Sequence, residues 1–197
     1  MTDEQVARIF NEGTEQVADF VSLVSSFPYR PTLFLGLGGT GCQTVAKIKE
    51  LFGLTYSETG KRGADGALQE LPPMYAFRGF DTNLTEHPPI LTRDEWFHLG
   101  IEDMDDFYRS NADDKMFRPW IASGLSMGAV TTGAEGFRNI GKICLYSNFA
   151  PVANALDAAW GKINQADPRI RNTKPVIYVF CSLAGGTGAG SLLDICF

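Results

Sequence analysis

Two glycine-rich segments, each set between an apolar run and an amphipathic one, constrain this chain more than any other feature. The first, Gly36-Leu37-Gly38-Gly39-Thr40-Gly41, follows Thr32-Leu33-Phe34-Leu35. The second, Ala184-Gly185-Gly186-Thr187-Gly188-Ala189-Gly190, follows Pro175 to Cys181. Short apolar runs free of charge are what buried parallel strands require, because both of their faces are covered. After the first glycine segment Val45, Ile48, Leu51 and Phe52 recur at helical spacing, with Lys47, Lys49 and Glu50 on the other side. The second opens into Ser191 to Phe197, read as about one turn of a further helix. Strand, glycine loop and helix therefore occur twice, without a repeat of fixed period. The alternation predicts an α/β fold, a Rossmann-like parallel sheet covered by helices on both faces.

The intervening segments fit this plan. Gly53 to Pro73 is polar and reads as a loop; Met74 to Phe80 reads as a second strand, ending in Asp81. Val130 to Gly136 reads as a loop, followed by helical runs from Arg138 and from Val152 to Asn164. Residues 1–31 are expected to form an N-terminal helical extension, since Val6, Ile9, Phe10, Val17, Phe20 and Val21 recur at threes and fours until Pro28 and Pro31. Its apolar stripe has two uses open to it, the domain's own sheet or another subunit. The stretch 84–128 is acidic but carries Trp96, Phe97, Phe107, Tyr108, Phe117 and Trp120. Aromatics at that density predict a folded insertion, because disorder needs low hydrophobicity. It reads either as a docking surface for a basic protein partner or as a solvated face.

A glycine-rich turn at the carboxyl end of a parallel strand lets the backbone approach a phosphate, and the following helix aims unpaired N–H groups at the anion. Neither glycine segment ends in the Gly-Lys-Ser/Thr of a P-loop, which excludes that class. Taken alone, Gly36, Gly38 and Gly41 fit a dinucleotide fingerprint, so an NAD(P)-dependent oxidoreductase of Rossmann type is one reading. It wants a ribose-binding acid roughly 20 residues further on. Asp81 lies well past that distance, and the second glycine segment has no task in such a site. Two loops converging on one ligand suit a mononucleotide gripped by its phosphates from both sides.

Composition removes other classes. A formal charge of −6 provides no electropositive field for nucleic acid. The longest apolar run, Val176 to Cys181, is far short of the roughly 20 residues of a membrane span. Cys42, Cys144, Cys181 and Cys196 form no CxxC pair and read as reduced thiols of a cytoplasmic protein. His87 and His98 have no cysteine cluster around them, which argues against a zinc site.

At the second glycine segment, Ser182-Leu183-Ala184-Gly185-Gly186-Thr187-Gly188-Ala189-Gly190-Ser191 resembles the GGGTG[ST]G signature of the tubulin/FtsZ superfamily, departing from it at Ala184 and Ala189. Chain order agrees with the resemblance. Gly38, Gly39, Thr40, Gly41 and Cys42 are similar to the first phosphate loop, with Gln43 where the family has Asn or Gln near the nucleoside. Asp81-Thr82-Asn83 is similar to the second loop, and Thr132-Gly133-Ala134-Glu135-Gly136 to the third, the γ-phosphate sensor. Thr40 and Cys42 stand where the family pattern has glycine.

The resemblance covers about residues 32–197 and points to the large bacterial tubulin-like proteins. It implies a nucleotide-binding domain of tubulin/FtsZ type, incomplete at its C-terminus: the guanine-binding asparagine and the catalytic acidic loop would lie past Phe197, so a fragment or a split subunit is expected. It also implies GTP/GDP and Mg2+ as ligands and Asp81 on the magnesium shell. Nucleotide contacts would come from Gly38 to Gln43, Asp81, Asn83, Thr132 to Ala134, Gly136 and Ala184 to Gly188. The implied partner is a second copy of the chain, in a longitudinal filament that hydrolyses GTP at subunit contacts. A degenerate, nonpolymerising interaction module on the same fold is the remaining alternative.

Overall fold

The structure, a computed structural model, describes residues 30–58, 71–115, 118–120, 129–165 and 173–196. Except for Arg30 and Pro31, the expected N-terminal extension lies outside the described residues.

Strand β1 (Thr32–Leu37) is buried along its whole length. Parallel neighbours flank it on both edges, β2 (Tyr75–Asp81) and β4 (Val176–Cys181), and β2 pairs in turn with β3 (Trp96–His98). The sheet order is β3-β2-β1-β4, all parallel. Alternation along β1 sorts the core into two layers. On one face Leu33, Leu35 and Leu37 meet α3 (Arg138–Ser147), α4 (Phe149–Gln165) and α5 (Gly186–Cys196) through Ile140, Ile143, Val152, Ala159, Ile163 and Ile195. On the other face Phe34 stacks between Phe77 of β2 and Tyr178 of β4 and meets Phe52 edge-on from α1 (Gly38–Glu58). Helices thus cover both faces, as the sequence predicts.

Arg78 occupies a core-facing register position beside Leu35 and is only 7% exposed. Its Nε donates to Ala155 O at 3.0 Å and its Nη1 to Phe77 O at 2.8 Å, so the buried guanidinium ties α4 to β2.

Three segments differ from the sequence expectation. Helix α1 does not stop at Gly53 but continues to Glu58. A glycine inside a helix costs about 1 kcal/mol, and burial of Phe52 against the sheet aromatics offsets it. Residues 59–70 of the expected loop lie outside the described residues. The glycine segments are not long loops: α1 begins at Gly38, directly after β1, and α5 at Gly186, after a four-residue turn that follows β4. The described part of the stretch 84–128 also joins the main sheet, since β3 extends it beside β2. Leu99, Ile101 and Met104, the last from α2 (Met104–Ser110), share the core with Leu35 and Phe80.

Candidate functional site

In the order β3-β2-β1-β4 the chain runs outward from β1 through β2 to β3 and then crosses back to β4 on the other side of β1, so the winding reverses between β1 and β4. Ligands of open parallel sheets bind at the carboxyl ends of the strands where that reversal occurs. Here both glycine segments start there. Gly38 has φ +73°, a left-handed conformation that favours glycine, and a Cβ at Gly38 would lie 3.1 Å from Gly188 N. The first turns of α1 and α5 therefore touch, and neither contains an acidic residue. Their unpaired N–H groups make an anion-favouring floor.

A cleft of ≈ 230 Å³ lies over this floor. Gly38, Gly39 and Thr40 line it from α1, and Gly185, Gly186, Thr187 and Gly188 line it from the start of α5. Asp81 enters from the last position of β2 and Asn83 from just beyond it, and Thr132, Gly133, Ala134 and Gly136 from the loop before α3. Gly41, Cys42, Gln43 and Ala184, also expected at the site, do not line it. The helical start at Gly38 explains the first three. One turn on, Gly41 is pressed against Phe180, where a Cβ would overlap the backbone carbonyl. Cys42 is buried with its thiol toward Gly36 O, and burial together with the Asp81 charge pushes its pKa up, so it is no nucleophile. Gln43 is exposed, as is Ala184, which sits on the turn before α5.

The two segments after β2 and before α3 are joined. Asn83 bridges Thr132 in antiparallel fashion, and Leu84 N donates to Thr131 O at 2.9 Å. The Asn83 side chain caps the 3-10 turn Leu84–Glu86, its Oδ1 accepting from Thr85 N and Thr85 Oγ1. In the other segment Gly133, Glu135 and Gly136 all have positive φ. Ala134 is buried between them, close enough to Gly186 that a Cβ there would come within 2.8 Å of it.

Thr187 is buried, and its hydroxyl shares a 2.6 Å hydrogen bond with Thr82 Oγ1. A hydroxyl has further capacity beyond one shared bond, and the Thr187 side chain also lowers the Asp81 pKa as a hydrogen-bonding neighbour. Asp81 is 3% exposed; Oδ1 accepts from Thr82 N at 2.8 Å, while Oδ2 is buried without a hydrogen-bond partner. Burial raises the Asp81 pKa above the usual carboxylate value and the Glu86 charge adds to this, against the backbone N–H groups of Thr82 and Asn83. Glu86, Glu135, Ser182 and Leu37 also line the cleft and were not expected from the sequence. Ser182 adjoins the recognised motif and could have been found there. Glu135 lies inside the third recognised loop, whereas Glu86 has no sequence signal, because the turn that delivers it is fixed by the bridge between segments far apart in the chain.

The fold and the site together define a class: a parallel α/β domain of Rossmann-like strand order, with two helix N-termini converging on one cleft at the switch point. More particularly, the chain belongs to the tubulin-like family, whose family model matches residues 33–197. No curated protein and no solved structure matches it. Among the described residues no helix is long and apolar enough to cross a membrane.

Proposed function

We propose that the chain binds a guanine nucleotide by its phosphates, as GTP or GDP with Mg2+, and self-assembles into filaments that hydrolyse GTP at subunit contacts. The observation that carries this reading is the convergence of two glycine-started helices on one cleft. An oxidoreductase site of Rossmann type uses one such helix and directs the acid after β2 at a ribose. Here the acid is turned toward the glycines: Asp81 Oδ2 lies 3.6 Å from the Cβ position of Gly39. The residues fit a magnesium ion, because the unpartnered Asp81 Oδ2 needs a donor or a cation and carboxylate oxygen is a hard ligand. Asp81 would hold the ion, which would neutralise phosphate charge. Gly38 to Thr40 and Gly185 to Gly188 would position the phosphates, with Gly133 to Gly136 closing over the terminal one.

Gripping ground-state phosphates does not by itself accelerate attack by water. In this reading the neighbouring subunit completes the site with the acidic loop expected past Phe197, in the cytoplasm, where the four free cysteines stay reduced. The acidic segment after β3 is the surface proposed for a basic protein partner. Phosphate release from GTP, measured per subunit across a concentration series of protein that includes the loop expected past Phe197, with light scattering alongside, tests the assembly part; residues 1–197 alone should show negligible turnover. Specific activity is expected to rise as scattering reports assembly. Constant specific activity where only monomer is present would contradict hydrolysis in trans.

A further inference from the structure

Among the described residues three carboxylates face the cleft, from Asp81, Glu86 and Glu135, and no lysine, arginine or histidine does. Two of them converge on one spot. A Cβ at Gly39 would overlap Glu86 Oε2 and lie 3.6 Å from Asp81 Oδ2, so both oxygens stand over the first turn of α1. An anion reaching the N–H groups of that turn must come close to both. The attraction of a helix N-terminus corresponds to about half an elementary charge. Two full like charges at comparable range outweigh it. A bare phosphate is therefore repelled from the floor that the glycines otherwise prepare.

A separate observation points to a ligand that reverses this. Asp81 is nine-tenths buried and more, yet its Oδ2 has no hydrogen-bond partner. Buried polar atoms in native proteins are normally satisfied, and a carboxylate oxygen accepts either a donor or a cation. A divalent cation would satisfy Asp81 Oδ2, cancel the repulsion at Gly39 and bridge to phosphate oxygen. Protein groups alone do not make a complete cation site, for no group of three or more acidic, histidine or cysteine side chains able to hold a metal occurs among the described residues. Magnesium prefers octahedral oxygen coordination and keeps several waters, so phosphate oxygens and water fill what the protein does not supply.

We infer that Glu86 is a specificity-determining residue which, with Asp81, makes the cleft accept a di- or triphosphate only as its divalent-cation complex. The inference rests on the proposed reading that the cleft holds phosphates, and it adds an obligate coupling and the residue that imposes it. Its placement has a local cause. The Asn83 side chain caps the turn Leu84–Glu86, and the bridge to Thr132 fixes that turn to the neighbouring loop, so Glu86 is held at the cleft although it is exposed.

Inorganic pyrophosphate, which needs no base pocket, is the suitable probe. Its affinity is measured by calorimetry in Mg2+ and in EDTA, and Mn2+ binding is followed by electron paramagnetic resonance with and without pyrophosphate. The parent chain is expected to bind pyrophosphate about 30-fold or more tightly with Mg2+, and pyrophosphate should raise Mn2+ affinity by a similar factor, because coupling between two ligands is reciprocal. Glu86→Gln, on an exposed turn, should keep the parent's circular dichroism and narrow that factor to about fivefold or less, mainly by tighter binding in EDTA. Equal pyrophosphate binding by the parent in Mg2+ and in EDTA, no binding in either, or a Glu86→Gln variant with the parent's coupling would each overturn the inference. The guanine reading fails separately, if pyrophosphate shows the coupling but GDP binds no better than NAD.

Discussion

Gly188→Val is expected to lower the stability of the chain by about 2–4 kcal/mol, at the upper end for overpacking, because the obstruction is backbone. A Cβ at Gly188 would stand 2.7 Å from Leu37 O and 3.0 Å from Cys181 Cβ, the ends of β1 and β4. Neither strand end can move without disturbing the parallel register on which the sheet depends. The same glycine lines the cleft, so loss of ligand binding in this variant reports lost structure first. Gly185→Ala separates the two effects. Its added Cβ meets Ser182 O at 3.7 Å and Ser182 Cβ at 3.8 Å, ordinary contacts, and stability should stay within about 0.5 kcal/mol of the parent. It should still weaken Mg–pyrophosphate binding about tenfold by filling the anion position, since one tenfold step is about 1.4 kcal/mol. Urea denaturation and calorimetry measure the pair. A fully stable Gly188→Val would mean that α5 does not press on the strand ends, and undiminished binding by Gly185→Ala would remove that turn from the cradle.

The second large effect is at Asp81. Asp81→Asn should cost about 100-fold or more in Mg–pyrophosphate affinity, the penalty of removing a charged partner from a desolvated ion cluster. In the unliganded protein the same substitution should be stabilising at neutral pH. Burial raises the folded-state pKa of Asp81 above its ordinary value, so the fold favours the protonated form. The stability associated with that proton is present below the ordinary carboxylate pKa and is lost as pH rises through the raised one. At neutral pH the parent therefore carries the cost of a buried ionised carboxylate that Asn lacks. Thermal unfolding from pH 3 to 8 should show Asp81→Asn melting above the parent at pH 7, with the gap closing toward pH 3. A variant that melts lower at pH 7, with a gap that widens on acidification, would contradict the account. Stability set aside for a ligand is what a binding site requires.

The sheet was legible where one residue type dominates. Thr32 to Leu35 and Val176 to Cys181 carry no charge, which marks them as strands of a parallel sheet; β1 is buried throughout, whereas β4 leaves Ile177 and Tyr178 exposed and β2 is buried although it carries Arg78. Asp81 announced itself by ending an apolar strand. What the sequence hid depends on contacts between distant segments. β3 is three residues, Trp96 to His98, in an acidic neighbourhood, and only pairing with β2 makes it a strand. Cys42 and Gly41 look like loop residues until the helix is known to begin at Gly38. The helical rotation then turns them against Gly36 and Phe180, away from the cleft.

Glycine itself was legible in number but not in role. Gly36, Gly41 and Gly190 each leave room for a neighbouring backbone carbonyl, of Gly41, Phe180 and Arg138 respectively, and pack elements together without lining the cleft. Gly39 and Gly185 face the cleft, one under the Glu86 carboxylate and the other in open surroundings. A motif that reads as a single cradle is in physical terms two sets of glycines, one for close approach of helix to strand and one for the ligand.

Calorimetric titration of the chain with GDP and with NAD, each in Mg2+, tests the central claim most directly. The account predicts one GDP site per chain, displaced by Mg–pyrophosphate and weakened about tenfold in Gly185→Ala, with no heat from NAD. Stoichiometric binding of NAD with no response to GDP would contradict it.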